Sequence, residues 1–287
     1  MFRYPGGKRK AVKKILSKMP KDICEFREPF IGGGSVFFAI SPTIKRWIND
    51  LDEDLINVYL ALRDEPDEFI RMCREIKPQK DGEELTSSKP GGKKLWNKRL
   101  KGHFDTFVAN RGKEKTLCEK ALRHYFINRT VWGGRVNYDI PSRLYFSNPA
   151  GWNVIKKDQL EKAAEILQGV KITSEGYEVL LAEPGKNVWI YNDPPYVVNT
   201  KLAVSSQLYR LGFGMEDHAL FKKNIEKCKH KVCISYDDLP EVRKWYPKNQ
   251  FFTYQEEWTY SGTSSAKGAK QTKEKGQELL ITNYFLN

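Results

Sequence analysis

The chain of 287 residues has only five cysteines, Cys24, Cys73, Cys118, Cys228 and Cys233, an odd number with no Cys-x-x-Cys pair. Their scatter excludes a disulfide framework and a structural zinc pattern, and points to a reducing, cytoplasmic setting. The four histidines, His103, His124, His218 and His230, share no metal-ligand spacing, so no metal is expected. No apolar run approaches the roughly 18 residues that a membrane span needs. The basic first ten residues have no apolar stretch behind them, so no signal peptide is expected either. A Gly-Lys-Ser/Thr phosphate loop and a G-x-G-x-x-G fingerprint are both missing.

What is present is apolar and aromatic enough, at 40% and 13%, to exclude a disordered chain. The length suits one large or two moderate domains. Net charge is +13, and it is not evenly spread. Between Arg71 and Arg135 stand 17 basic and 7 acidic side chains, interleaved with Trp96, Phe104, Phe107, Tyr125, Phe126 and Trp132. Such a segment suits a polyanion, because phosphate contacts release condensed counterions. A lysine-rich solvated face is the other reading.

Apolar spacing predicts helices over 8–19, 35–40, 53–63, 67–76, 117–128, 158–167 and 217–228. Strands are expected to end near 28 and to cover 45–50, 170–174, 187–192, 231–235 and 279–285. Segments 77–94 and 261–276 are rich in Lys, Gly and Ser and read as loops, and 132–145 as irregular or a hairpin. Strands alternating with helices at both ends imply an α/β core, interrupted by a basic, largely helical insertion.

Four motifs carry chemistry. Glu28-Pro29-Phe30-Ile31-Gly32-Gly33-Gly34-Ser35 is a strand end, a glycine turn and a helix start, where backbone N–H groups can meet a ligand or simply turn the chain. Asn49-Asp50 ends the next strand, where Asp50 either accepts a ribose diol or, like Asp52, caps the following helix. Asp193-Pro194-Pro195-Tyr196 follows an apolar strand. Pro-Pro fixes an extended backbone without N–H donors, so the Asp193 carboxylate and the Pro194 carbonyl can accept both hydrogens of an exocyclic amine while Tyr196 stacks on its ring. A proline-rich strand exit is the plainer alternative. Tyr4-Pro5-Gly6-Gly7-Lys8 opens the chain as a tight turn that can place Tyr4 or Lys8 against a ligand.

In this order, and over nearly the whole chain, the four motifs resemble those of the Dam-like family of adenine-specific DNA methyltransferases. Gly33 stands where alanine is often found. The resemblance implies a Rossmann-like S-adenosylmethionine-dependent methyltransferase sheet, built from 1–60 and 151–287, with a mainly helical DNA-recognition domain inserted at 61–150. It implies cofactor binding by Tyr4, Lys8, Pro29, Phe30, Gly32, Gly34, Asp50 and Asp193, and catalysis by Asp193, Pro194 and Tyr196. Asn128-Arg129 and Arg135-Val136-Asn137-Tyr138 fall in the recognition segment. There Arg129 and Arg135 can read guanine edges, and Asn128 or Asn137 adenine, or each can simply touch phosphate or, for Asn128, end a helix. Arg143 is a candidate phosphate clamp, and Trp132 a wedge or a core residue. The four lysines of 261–276 can close over DNA, or the loop can be without function.

The implied partner is double-stranded DNA, with a cognate restriction endonuclease and the oligomeric state left open. Members that read GATC carry a Gly-aromatic-Asn-Gly run followed by a short spacer and Arg; the segment from Asn128 to Arg135 is shorter than that stretch and lacks its Asn, so GATC is not implied. No cysteine follows a proline, which removes the nucleophile of cytosine-carbon methylation. Cytosine N4 or RNA as acceptor, and a DNA-binding protein without catalysis, are the rival readings. For adenine the expected route is base flipping and direct in-line transfer.

Overall fold

The computed structural model describes residues 6–77, 92–134, 136–138, 144–147, 152, 159–196, 212–259 and 275–286. These fall into two compact units, one within Tyr4–Asp52 and Gly169–Asn287, the other within Glu53–Gln168. The second unit thus begins before and ends after the 61–150 expected for an insertion.

The first unit is a doubly wound α/β layer. Its described strands are β1 (Glu25–Glu28), β2 (Lys45–Asn49), β3 (Lys171–Thr173), β4 (Val188–Asn192), β5 (Lys231–Asp237), β6 (Phe252–Thr259) and β7 (Lys275–Thr282). They form one seven-stranded sheet in the order β3-β2-β1-β4-β5-β7-β6. The first five run parallel, while β7 pairs antiparallel with both β5 and β6. Sequence neighbours β1, β2 and β3 step outward one way and β4 and β5 the other. The order therefore reverses between β1 and β4, and a crevice opens at their carboxyl ends.

β4 is Val-Trp-Ile-Tyr-Asn, buried throughout and rich in residues that suit a pleat covered on both faces. It ends where Pro194 and Pro195 can no longer donate to the ladder. β1 is Glu-Phe-Arg-Glu and is buried as completely, which apolar periodicity does not reveal. Arg27, fully buried, donates to Glu25 at 2.7 Å and to the carbonyls of Leu180, Glu183 and Pro184 at 2.8, 2.6 and 3.0 Å. Those carbonyls belong to the last turn and exit of helix Tyr177–Ala182, whose orphan acceptors the guanidinium satisfies.

The second unit is helical. Glu53–Asp64, Pro66–Glu75, Gly92–Ala109, Leu117–Thr130 and Gln159–Leu167 pack around Leu117–Thr130 and Glu53–Asp64. A capping box of Thr116 and Glu119 starts helix Leu117–Thr130. Asp54 and Glu114 both pair with the buried Arg123. None of the described helices is long and apolar enough to cross a membrane.

Several expectations shift. Segment 35–40 holds only a 3-10 turn, Phe37–Ala39, because the glycine turn keeps the chain irregular up to it. The helix expected over 8–19 is Val12–Leu16 flanked by turns. Helices Tyr177–Ala182 and Pro240–Trp245 and strand β6 were not expected. They are short, or alternate weakly, and tertiary packing fixes them. Residues 78–91 and 261–274 of the two expected loops lie outside the described residues, whereas 92–94 and 275–276 belong to a helix and to β7.

Replacing Arg27 with alanine strips a buried charge from Glu25 and three carbonyls from their donor. It is expected to cost about 3–5 kcal/mol of unfolding free energy, measured by urea titration; a loss under about 1 kcal/mol would contradict this role.

Candidate active site

The glycine turn sits at the carboxyl end of β1. Gly32 and Gly34 have φ of 45° and 68°, a left-handed backbone that side chains rarely tolerate. Turning there brings the Gly32 N–H to the Asp50 carboxylate at 2.9 Å. The other Asp50 oxygen accepts the Asp52 N–H at 3.1 Å. Asp50 therefore ties the glycine turn to the end of β2. Burial pushes its carboxyl up to about 7, against the pull of those backbone donors. Beside it the buried Asn49 donates to Pro29 O at 3.0 Å and Glu175 O at 2.9 Å. It also accepts from Thr173 Oγ1 at 2.7 Å and the Glu175 N–H at 2.9 Å. One amide thus fastens the ends of β1, β2 and β3 together.

The acidic turn follows β4. Lys8 Nζ lies 2.8 Å from Asp193 Oδ1 and 2.9 Å from Oδ2, with the lysine side chain 4% and the aspartate side chain 21% exposed. Ser235 on β5 donates to Asp193 Oδ1 at 2.7 Å and meets the Tyr191 hydroxyl at 2.9 Å. Lys8 also bonds Gly6 O at 3.1 Å and sits 4.5 Å over the Tyr196 ring. The Tyr196 hydroxyl donates to Glu278 Oε2 on β7 at 2.7 Å. Burial raises Glu278 to about 8 and Asp237 to about 6, with Lys8 opposing in both cases. Glu28, whose Oε2 accepts the Phe37 N–H at 2.9 Å, is raised by burial and by the Asp193 and Asp50 charges. A carboxylate about a fifth open, beside acids held back from ionising, is suited to receiving N–H donors.

Both turns face one cavity of about 520 Å³. Of the residues proposed from sequence, Lys8, Pro29, Phe30, Gly32, Gly34, Asp50 and Asp193 line it. Pro194 is buried beside Asp193, and Tyr196 joins through Lys8. Sequence reasoning missed part of the wall. Tyr177 stacks on Phe30 at 5.4 Å, Phe213 meets Phe30 edge-on at 6.2 Å, and Glu175 and Asp217 also line the cavity. The Ser-Glu-Gly-Tyr run after β3 was the available signal, since the crevice of such a sheet collects every loop at its carboxyl edge.

Recognition candidates belong to the helical unit. Asn128 and Arg129 are buried inside helix Leu117–Thr130, which runs past Asn128, so Asn128 does not end it. The Asn128 amide donates to Gly134 O at 3.1 Å. Asn137 is half-buried next to Tyr138, whose ring lies under the guanidinium groups of Arg111 and Arg123 at 4.2 and 4.9 Å. Trp132 lies in a short 3-10 turn. Tyr4, Arg135 and Arg143 lie outside the described residues.

Comparison with known proteins agrees with this geometry. The profile of the D12 class N6 adenine-specific DNA methyltransferases matches residues 4–261. A Type II methyltransferase of Lactococcus lactis subsp. cremoris is 26% identical, over 98% of this chain and 94% of its own length. A DNA adenine methylase of Escherichia coli (strain K12) is 25% identical, over 86% and 84%. A Type II methyltransferase of Methanocaldococcus jannaschii is also 25% identical, over 82% of both chains. With the family match running over nearly its whole length, the chain belongs to the D12 class of N6 adenine-specific DNA methyltransferases.

Proposed function

We propose that the cavity binds S-adenosylmethionine and that Asp193, Pro194 and Tyr196 hold an adenine extruded from duplex DNA for methylation at N6. The observation that carries this reading is Asp193 itself, wedged between Lys8 and Ser235 at the edge of the cavity with a fifth of its side chain open.

The cavity fits the donor. A glycine turn allows close backbone approach, the half-buried Asp50 offers carboxylate oxygens to a ribose diol, and Phe30 with Tyr177 and Phe213 gives a flat ring an aromatic wall. When bound, S-adenosylmethionine supplies an electrophilic methyl carbon. The chain's own task lies on the nucleophile. Adenine N6 is a poor nucleophile because its lone pair is delocalised into the ring. Asp193 Oδ1 already accepts Lys8 and Ser235, whereas Oδ2 accepts Lys8 and keeps capacity for a further N–H. Accepting the two amino hydrogens at Asp193 and at the Pro194 carbonyl localises the pair on nitrogen, and fixed dipoles do so without reorganisation. Tyr196 recovers part of the cost of unstacking, about 1–3 kcal/mol.

Recognition is assigned to the helical unit, where Asn137 is the best placed of the described candidates because it is half-buried rather than enclosed. For Asn128 and Arg129, burial supports a framework role more than base reading. A cognate restriction endonuclease is a further proposed partner, on the Type II names of two relatives. DNA in the cytoplasm is the proposed place of action.

Asp193→Ala is expected to lower methyl transfer to DNA by about 10²–10³-fold or more, measured with a tritiated methyl donor on DNA from methylation-deficient cells; near-parental turnover would refute the assignment. Asp50, raised to about 7 in the free protein, must be ionised to accept ribose hydroxyls best. Cofactor affinity is therefore full above pH 7 and falls toward about tenfold per unit below it. Calorimetry between pH 5.5 and 8.5 reads this slope. Asp50→Asn should bind weakly and lose the Asp50 contribution to the slope; a slope identical to the parent's would contradict the ribose role.

A further inference from the structure

A carboxyl group from the far side of the sheet closes on the catalytic turn. Glu278 stands on β7 opposite Asp237 of β5 and is fully buried. Its neighbours Leu279, Leu280 and Ile281 are buried apolar residues. An acid in that run costs free energy that a leucine would not. Of the groups that face it, Tyr196 donates to it at 2.7 Å, and Lys8, Asp193 and Asp237 act on it by charge; Glu256 of β6 stands across from it and pairs with Lys14 and Lys18. The Tyr196 ring is thereby held at its tip by Glu278 and across its face by Lys8, at 4.5 Å. Lys8 in turn grips both oxygens of Asp193. Ring, ammonium and carboxylate form one chain of contacts whose far anchor is the β7 acid.

We propose that Glu278 is a positioning residue for methyl transfer, fixing through the Tyr196 hydroxyl the ring against which the target base rests. The proposal rests on the reading of the Asp193 turn given above. It requires an oxygen acceptor at position 278 rather than a particular charge. It also requires that Glu278 act through Tyr196, so that removing the tyrosine hydroxyl leaves Glu278 with little more to contribute to the rate.

The test compares Glu278→Gln, Glu278→Leu, Tyr196→Phe and the Tyr196→Phe/Glu278→Leu pair in the full chain. Initial rates of tritiated methyl transfer to DNA from methylation-deficient cells are measured at saturating donor. Glu278→Leu should lower kcat by about 10–100-fold, with KM for S-adenosylmethionine within about threefold of the parent. Glu278→Gln, which keeps an acceptor oxygen, should restore kcat to within about fivefold of the parent. On top of Tyr196→Phe, the leucine should cost less than about twofold more. Parental kcat in a folded Glu278→Leu, or a leucine effect undiminished in the Tyr196→Phe background, would overturn the proposal. If Glu278→Leu does not fold, Tyr196→Phe probes the same bond from its other end, and parental kcat there would overturn it equally. Asp193→Ala run alongside separates the two levels. If Asp193→Ala transfers methyl at the parental rate, the reading of the turn itself falls. If Asp193→Ala is inactive while Tyr196→Phe and Glu278→Leu are unimpaired, only the role of Glu278 falls.

Discussion

The site depends on one enclosed ion pair, Lys8 with Asp193. A lysine side chain only 4% exposed has given up nearly all its water, and two carboxylate oxygens within 2.9 Å replace it. Such a pair is held for position more than for stability, because desolvation consumes most of its Coulombic gain. What it achieves is a carboxylate that cannot rotate. Lys8 spans both oxygens, Ser235 pins one of them, and Tyr191 holds Ser235. Pro-Pro behind it stiffens the backbone, so the acceptors on the turn are set before any substrate arrives.

The sheet explains why these groups meet. Reversal of strand order between β1 and β4 places the glycine turn and the acidic turn on either side of one crevice. Asp50 and Asn49 close the β2 side by bonding to the neighbouring turns. Antiparallel β7 then brings a carboxyl from the end of the chain to the ring of Tyr196. Glu28, Asp50, Asp237 and Glu278 are all raised toward the neutral form, chiefly by burial.

The motifs were legible in the sequence because their chemistry is local. Gly32 and Gly34 announce a turn, Pro194 and Pro195 a stiff strand exit, and Asp50 an acid at a strand end. An α/β core follows from strands and helices in alternation, and the Rossmann-like sheet from the family resemblance. What could not be read was which distant residue each motif would meet. Lys8, expected at the cofactor, lines the cavity, and what its motif does not reveal is that it also grips Asp193. Ser235 and Glu278 sit in strands whose apolar pattern hides a polar duty. β1 is visible only at its end, since its buried polar side chains break the apolar pattern: Arg27 is satisfied by Glu25 and three carbonyls, and Glu28 by the Phe37 N–H. Helix Leu117–Thr130 misleads in the opposite sense. It lies in the basic segment read as suiting a polyanion, yet its Arg123 and Arg129 are buried, Arg123 against Asp54 and Glu114.

Mapping of modified bases in DNA from cells that express the chain tests most directly whether the β4 turn receives an adenine amine. Membership of the D12 class, with Asp193 held by Lys8 and Ser235 beside the cavity, calls for N6-methyladenine recurring at one short sequence and absent from control cells. Modified cytosine in its place, or DNA left unmodified by an expressed and folded chain, would contradict it.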